Sequence, residues 1–171
     1  FKYGNGLEVA LGGGRSKFMP KETVDPEFPS RNGERLDKRD LPQEWTAKHK
    51  NSAYVWNKAQ FDQIDVKKTD HLLGLFYPSH MKFEHDRLRD SGGEPSLAEM
   101  ATKSVDLLSR NKKGYLLMVE AGRIDHAHHD GNAYRALRDT VALSDAVRAV
   151  AKKVNLDETL IIVTADHSHT M

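Results

Sequence analysis

Two short segments of the chain concentrate side chains that can bind metal ions. The first begins at Glu120 and includes Asp125, and the second begins at Asp166. Together they hold five of the nine histidines, which are His126, His128, His129, His167 and His169. The chain has no cysteine, so imidazole nitrogen and carboxylate oxygen are the ligands available here. That donor set suits zinc or a similar transition ion, and the Glu120 carboxylate suits a hard cation such as magnesium.

The spacing within each segment favours shared ligation. Asp125 and His129 are four residues apart, so on one helical turn they lie on the same face and can bind one cation. Asp166 and His167 are adjacent, and they can reach one ion only where the backbone leaves regular strand geometry. Each pair supplies two ligands, whereas a catalytic zinc ion takes about three from the protein. Two ions about 4 Å apart would stabilise the attacking and leaving oxygens of a transferred phosphoryl group.

Other interpretations of the same residues remain open. Asp125 and Asp166 could each cap a helix or a turn, and the histidines after Asp125 could be a solvated helix start. Arg123 could bind phosphate or pair with a nearby carboxylate. The occurrence of an Asp/His cluster after each of two apolar runs favours metal binding over these alternatives.

Three apolar runs of strand length would position these segments. They cover residues 71–76, 115–119 and 159–164, and the last two precede the two clusters. Between them, Ser96 and Glu99 form the S-x-x-E pattern that begins a helix, and a helical pattern covers residues 128–154. The alternation of strands and helices predicts a three-layer α/β/α sandwich with a mainly parallel sheet. Parallel strands end at the same edge of a sheet, so both clusters are expected to meet there.

The first part of the chain has shorter patterns. Residues 7–11 and 53–56 are predicted strands, residues 58–64 a short helix, and residues 40–50 a helix with Asp40 as its N-cap. Gly12, Gly13 and Gly14 match no phosphate-binding loop and indicate a tight turn. We therefore divide the single partial domain, residues 1–171, into a loop-rich segment, 1–70, and a βαβαβ segment, 71–171, which carries the ligands.

Composition and charge narrow the class of protein. The 26 lysines and arginines balance 25 aspartates and glutamates, so no strong field indicates a nucleic-acid partner or a membrane surface. Hydrophobic residues make up 38% of the chain, an ordinary share for a soluble domain. No apolar run approaches the 18 residues or so that a membrane-spanning helix requires.

The two segments also resemble a known family. Residues 119–129 read VEAGRIDHAHH and residues 163–169 read VTADHSH, which are similar to VEGGRIDHGHH and VTADHSH of the animal-type alkaline phosphatases. The similarity extends to residues 10–15, 31–45, 73–76, 81–84 and 95–100. It therefore covers nearly the whole chain, as a partial sequence from the central and C-terminal part of that family.

The resemblance implies two zinc ions and one magnesium ion in a hydrolase of phosphate monoesters. The ligands that it implies are Glu120 for magnesium, Asp125 and His129 for one zinc ion, and Asp166 and His167 for the other. It also implies that His169 hydrogen-bonds a ligand carboxylate and that His126 faces the phosphate through water. A homodimer that is secreted or held at the cell surface by a lipid anchor is implied in the same way.

One departure limits these expectations. The family's nucleophilic serine lies in a motif of the type DSAGTA, and this sequence contains no such motif. The 171 residues alone are therefore expected to be nearly inactive, as part of a longer enzyme. The alternatives are a related metal-dependent phosphomutase, sulfatase or phosphodiesterase, and a non-catalytic metal-binding fragment.

Overall fold

Three short parallel strands form the sheet of this chain. The computed structural model describes residues 6–170. Its strands are β1 (Val9–Gly12), β2 (Ser52–Val55) and β3 (His71–Leu75), and the spatial order is β1-β3-β2. Leu73 pairs with Ala10 on one side and with Tyr54 on the other, so β3 is central. All five residues of β3 are buried, as expected for the middle strand of a covered parallel sheet.

Residues 6–170 form five α-helices. They are α1 (Leu41–Lys48), α2 (Lys58–Asp62), α3 (Leu97–Leu108), α4 (Arg123–His129) and α5 (Ala133–Ala151). Local capping explains several of their starts, because a side-chain oxygen binds an otherwise unpaired backbone N–H. Asp40 accepts a hydrogen bond from the Gln43 amide, and Ser96 forms the predicted capping box with Glu99. The helix starts predicted at these two caps are confirmed.

Two apolar clusters hold the elements together. The larger one joins Leu72 and Phe76 to Val55, Phe61 and Leu107, and thereby packs α2 and α3 on the sheet. The smaller one joins Phe83 to Ala127 of α4 and Ala136 of α5. Ala127 and Ala136 are almost completely buried. This second cluster fixes α4, which carries the first group of candidate ligands, against the segment that follows β3.

A buried arginine joins the carboxyl ends of the strands. Arg15 lies in a turn of 3₁₀ helix just after β1 and is completely buried. Its Nη1 atom donates to the carbonyl oxygens of Leu75 and Trp56, at the ends of β3 and β2. Its other donors bind the carboxylates of Asp25 and Glu27 at 2.8–2.9 Å. Gly12 ends β1, and Gly13 and Gly14 form the turn that leads to Arg15, in which Gly14 adopts a φ of +78°.

The prediction of two further buried strands is wrong. Residues 115–119 and 159–164 form neither strand nor helix, and Leu116 is 93% exposed while Ile162 is 75% exposed. An apolar run becomes a strand when a neighbouring strand binds its backbone N–H and C=O groups. In the described part of the chain, residues 6–170, no such neighbour lies beside either run.

The predicted helix over residues 128–154 is two helices. α4 begins earlier, at Arg123, and ends at His129, and α5 begins at Ala133. Gly131 has a φ of +61°, and the Asn132 side chain caps α5 by accepting from the Arg135 amide. A left-handed glycine followed by a capping asparagine is a common way to end one helix and start another.

The predicted class, an α/β fold with parallel strands, is confirmed by the sheet and its covering helices. The predictions of strands at 7–11, 53–56 and 71–76 and of helices at 40–50 and 58–64 are also confirmed, with boundaries shifted by up to two residues. Within residues 6–170, every helix is too short or too polar to cross a membrane.

Candidate metal centre

Helix α4 carries the first two candidate ligands one turn apart. Asp125 and His129 lie on the same face, and the distance from Asp125 Oδ2 to His129 Nε2 is 3.5 Å. Ala127 lies between them in sequence and is buried against Phe83. The small apolar residue therefore fixes the rotation of the helix, which in turn sets the direction of both ligands.

The second segment lies beside this helix. His169 Nε2 is 3.7 Å from Asp125 Oδ1, and His167 Nε2 is 3.9 Å from the same oxygen. His167 Nε2 is also 3.4 Å from Asp166 Oδ2. The two Asp/His segments therefore converge, although the strands that were predicted to bring them together are absent from residues 6–170.

The separations fit ligand atoms that share an ion. Two ligand atoms bound tetrahedrally at about 2.1 Å from zinc are roughly 3.4 Å apart. The distances of 3.4–3.7 Å within the Asp/His pairs are close to that value and too long for hydrogen bonds. One ligand atom each from Asp125, His129 and His169 lie within 4.8 Å of one another. Asp125 Oδ1 is buried and accepts no hydrogen bond from any residue between 6 and 170.

Backbone carbonyls set the tautomers of the histidines. His167 Nδ1 lies 2.9 Å from the Ser168 carbonyl oxygen, and His169 Nδ1 contacts that of Thr170. A carbonyl only accepts hydrogen bonds, so each Nδ1 carries the proton and each Nε2 keeps the lone pair that a metal requires. The carbonyl of Ser168 and the charge of Asp166 raise the pKa of His167.

Two other predicted residues lie apart from this group. Glu120 is exposed, and its Oε1 atom lies over Gly122, where an added Cβ would be only 3.1 Å away. Asp166 is also exposed and reaches the group only through His167. The arrangement of residues 6–170 thus brings together Asp125, His129 and His169, and leaves Glu120 outside the cluster.

His126 has a different environment from the other histidines. Its Nδ1 atom is 2.9 Å from Arg123 Nη1, and its ring meets that of His80 edge to face, with centroids 4.5 Å apart. Burial lowers the pKa of His126, and the neighbouring His80 and Arg123 lower it further. Arg123 forms no ion pair with a carboxylate of residues 6–170, and its neighbours are the imidazole of His126 and, at 3.6 Å, the ring of Phe83.

His80 was missed because no local pattern identifies it. It lies in the segment after β3, and only the packing of that segment on α4 brings it to His126. The contact between Arg123 and His126 could have been predicted from the sequence, because side chains three residues apart on a helix are neighbours.

The comparison with known proteins identifies one family that this chain resembles over nearly its whole length. The family model described as alkaline phosphatase matches residues 3–171. The chain is 43% identical over 169 residues to the tissue-nonspecific isozyme of alkaline phosphatase from Gallus gallus, covering 95% of this chain and 32% of that protein. It is 40% identical over 172 residues to the membrane-bound alkaline phosphatase of Bombyx mori, covering 98% of this chain and 30% of that protein.

A solved structure shows the same relation. The crystal structure of Thermus thermophilus alkaline phosphatase superposes with a TM-score of 0.71 at 33% identity, over 87% of this chain and 28% of the other. The chain thus spans about a third of the length of the curated relatives that it matches.

Proposed function

The chain belongs to the alkaline phosphatase family, and on that premise we propose that the full-length protein hydrolyses phosphate monoesters at a metal centre built partly from this chain. The observation that supports the proposal is the convergence of two Asp/His segments around Asp125, whose Oδ1 atom is buried and unpartnered among the described residues. A buried acceptor without a donor is costly, and a bound cation would satisfy it.

The family resemblance suggests which residue would hold which ion. Asp125 and His129 would bind one zinc ion, and Asp166 and His167 would bind the other. Glu120 would bind magnesium. Bound zinc and magnesium supply positive charge that stabilises the phosphoryl oxygens during transfer.

The remaining residues of the site would orient the ligands and the substrate. His169 would lie beside the ligand Asp125, with its Nε2 atom 3.7 Å from Asp125 Oδ1, and its packing there would limit the directions that this carboxylate can take. His126, in the same helix, would hydrogen-bond the phosphate through water. The nucleophile would come from outside this chain, so the 171 residues alone would hydrolyse phosphate monoesters very slowly.

The test uses the full-length protein and a chromogenic phosphate monoester. We expect hydrolysis that a zinc chelator abolishes and that added zinc and magnesium restore. The matching phosphate diester and sulfate ester should be hydrolysed far more slowly, which separates this function from a phosphodiesterase or a sulfatase. Hydrolysis of the monoester that persists after complete removal of metal would contradict the role of these residues.

Assembly and location are a further part of the proposal. We propose a homodimer, as the family resemblance implies, at the outer cell surface, which is supported by the name of one relative, a membrane-bound alkaline phosphatase. Light scattering on the purified full-length protein would give its mass in solution. Release of activity from intact cells by a phospholipase that cleaves lipid anchors would test the attachment, and activity confined to the cell interior would contradict it.

A further inference from the structure

Arg123 lies between an aromatic ring and a histidine of the candidate centre. Its guanidinium carbon is 3.6 Å from the centroid of Phe83, and its Nη1 atom is 2.9 Å from His126 Nδ1. A guanidinium group has hydrogen-bond donors and no acceptor. His126 Nδ1 must therefore accept, and the proton of the neutral ring must lie on Nε2.

The surroundings keep this contact in place. Phe83 is only 6% exposed and packs against Ala127 and Ala136, so it is a fixed platform for the guanidinium. Within residues 6–170, no carboxylate lies within ion-pair distance of Arg123, and its buried Nε atom has no partner. The contact with His126 is thus the hydrogen bond that orients the guanidinium group.

A second arginine, Arg135, also lies over the Phe83 ring but does not contact His126. Arg135 lies 4.8 Å from the Phe83 centroid, but its Nη2 atom binds the Asp86 carboxylate at 2.7 Å. The two arginines therefore differ in their partner, which is an imidazole for one and a carboxylate for the other. This difference provides a matched control within the same cluster.

We propose that Arg123 is a positioning residue that holds His126 in the Nε2–H tautomer, so that His126 presents a hydrogen-bond donor to the water that joins it to the phosphate. The proposal rests on the proposed function, in which His126 serves the phosphate. His126 lies next to Asp125 and three residues before His129 on α4, so it borders the candidate ligands. A water molecule that accepts a hydrogen bond from Nε2–H can donate both of its protons to the oxyanion. In the opposite tautomer the water would donate one proton to the Nε2 lone pair and keep only one for the phosphate.

The kinetic test compares Arg123→Lys, Arg123→Met and Arg135→Met in the full-length protein. Lysine also has donors only, whereas methionine has a similar length and no donor. We expect Arg123→Met to raise both the KM for a phosphate monoester and the Ki for inorganic phosphate about fivefold to tenfold, the effect of one net hydrogen bond. Arg123→Lys should restore most of this loss, and Arg135→Met should stay within about twofold of the parent protein.

A spectroscopic readout decides the tautomer independently of activity. The ¹⁵N shifts of the His126 ring, identified by their loss in His126→Gln, should show a protonated Nε2 and an unprotonated Nδ1 in the full-length protein, with and without metal. A protonated Nδ1 would overturn the proposal, as would equal phosphate Ki values for Arg123→Lys and Arg123→Met. An inactive parent protein would contradict the proposed function, and the ring shifts would still test Arg123.

Discussion

Hydrogen-bond acceptors without a donor determine which ligand the candidate centre favours. Asp125 Oδ1 is buried and unpartnered among residues 6–170, and the carbonyls that bind the Nδ1 atoms of His167 and His169 leave both Nε2 lone pairs free. All of these atoms are acceptors, and acceptors that lie within 4 Å of one another repel unless a cation lies between them. The local chemistry therefore favours a positively charged ligand.

Replacing Asp125 with asparagine tests this conclusion. The amide keeps the size of the side chain but lacks the negative charge that attracts the ion. We expect Asp125→Asn to lower the zinc content of the full-length protein by about one ion per chain and kcat/KM by at least roughly 100-fold. Elemental analysis and steady-state kinetics would measure both. Asp130→Asn, at the exposed end of α4, is the matched control, and an equal loss in both variants would contradict the assignment.

Glu94 is a second carboxylate in an unusual environment. It is only 2% exposed and accepts a hydrogen bond of 2.9 Å from the Lys82 amide. Burial raises the pKa of Glu94 to about 7, and the nearby charge of Asp90 acts in the same direction. Burial also raises the pKa of Asp90. Burial thus raises the pKa of two neighbouring carboxyl groups in the folded protein.

The pH dependence of stability should show the Glu94 shift. The folded protein holds the Glu94 proton up to a pH of about 7, whereas the unfolded chain releases it near 4.5. Between these values the folded state binds more protons, so the free energy of unfolding should fall by about 2 kcal/mol as pH rises from 5 to 8. Glu94→Gln should remove this part of the slope, and Glu158→Gln, an exposed position, should keep it. Urea denaturation of the full-length variants at the two pH values measures the difference, and identical slopes would refute it.

At the scale of the elements, Arg15 connects the strands. Arg15 follows β1 in the chain, and its guanidinium group donates to backbone carbonyl oxygens at the ends of β2 and β3. The buried carboxylates of Asp25 and Glu27 neutralise its charge. Removal of one partner from such a group leaves an uncompensated buried charge.

We expect Arg15→Met to lower the free energy of unfolding by about 3–5 kcal/mol. The cost comes from the unpaired carboxylates of Asp25 and Glu27 and from the carbonyl oxygens that lose their donor. Lys17→Met is the control. Lys17 lies in the same turn, two residues after Arg15, and forms an exposed ion pair with Glu34. Chemical denaturation would compare the variants, and an effect of similar size in both would show that burial does not set the cost.

Local features explain which elements were predictable. The capping side chains of Asp40 and Ser96 act within three residues of themselves, so the starts of α1 and α3 follow from the sequence. The break before α5 also had a local signal in Gly131 and Asn132, which the helical periodicity around them masked. By contrast, the partners of Arg15 are separated from it by up to 60 residues, and no periodic pattern indicates them.

In the candidate site, too, contacts between residues close in sequence were predictable and contacts between distant segments were not. The pairing of Asp125 with His129 depends on the helical repeat, and it could be predicted from spacing alone. The approach of His169 to Asp125 and of His80 to His126 depends on how distant segments pack, which spacing does not contain. Local chemistry was therefore more predictable than the contacts that complete the centre.

The whole molecule exposes two apolar segments, residues 115–119 and 159–164. Leu116 is 93% exposed and Leu160 is 83% exposed, although each belongs to a run of residues typical of a buried strand. Exposure of such runs indicates a surface that another part of a protein covers. Because the chain spans about a third of its curated relatives, we expect the rest of the full-length protein to cover both segments.

A charged residue at Leu116 tests this expectation. If residues 115–119 are buried in the full-length protein, Leu116→Asp places a charge in an apolar environment and should lower the free energy of unfolding by at least about 2 kcal/mol. Leu88→Asp is the matched control, because Leu88 is 85% exposed in the 3₁₀ turn Arg87–Arg89 and lies in no apolar run. Thermal and urea denaturation of both full-length variants would measure the effect. If the two substitutions are equally well tolerated, Leu116 is exposed in the complete protein as well, and the expectation that the rest of the protein covers residues 115–119 is wrong.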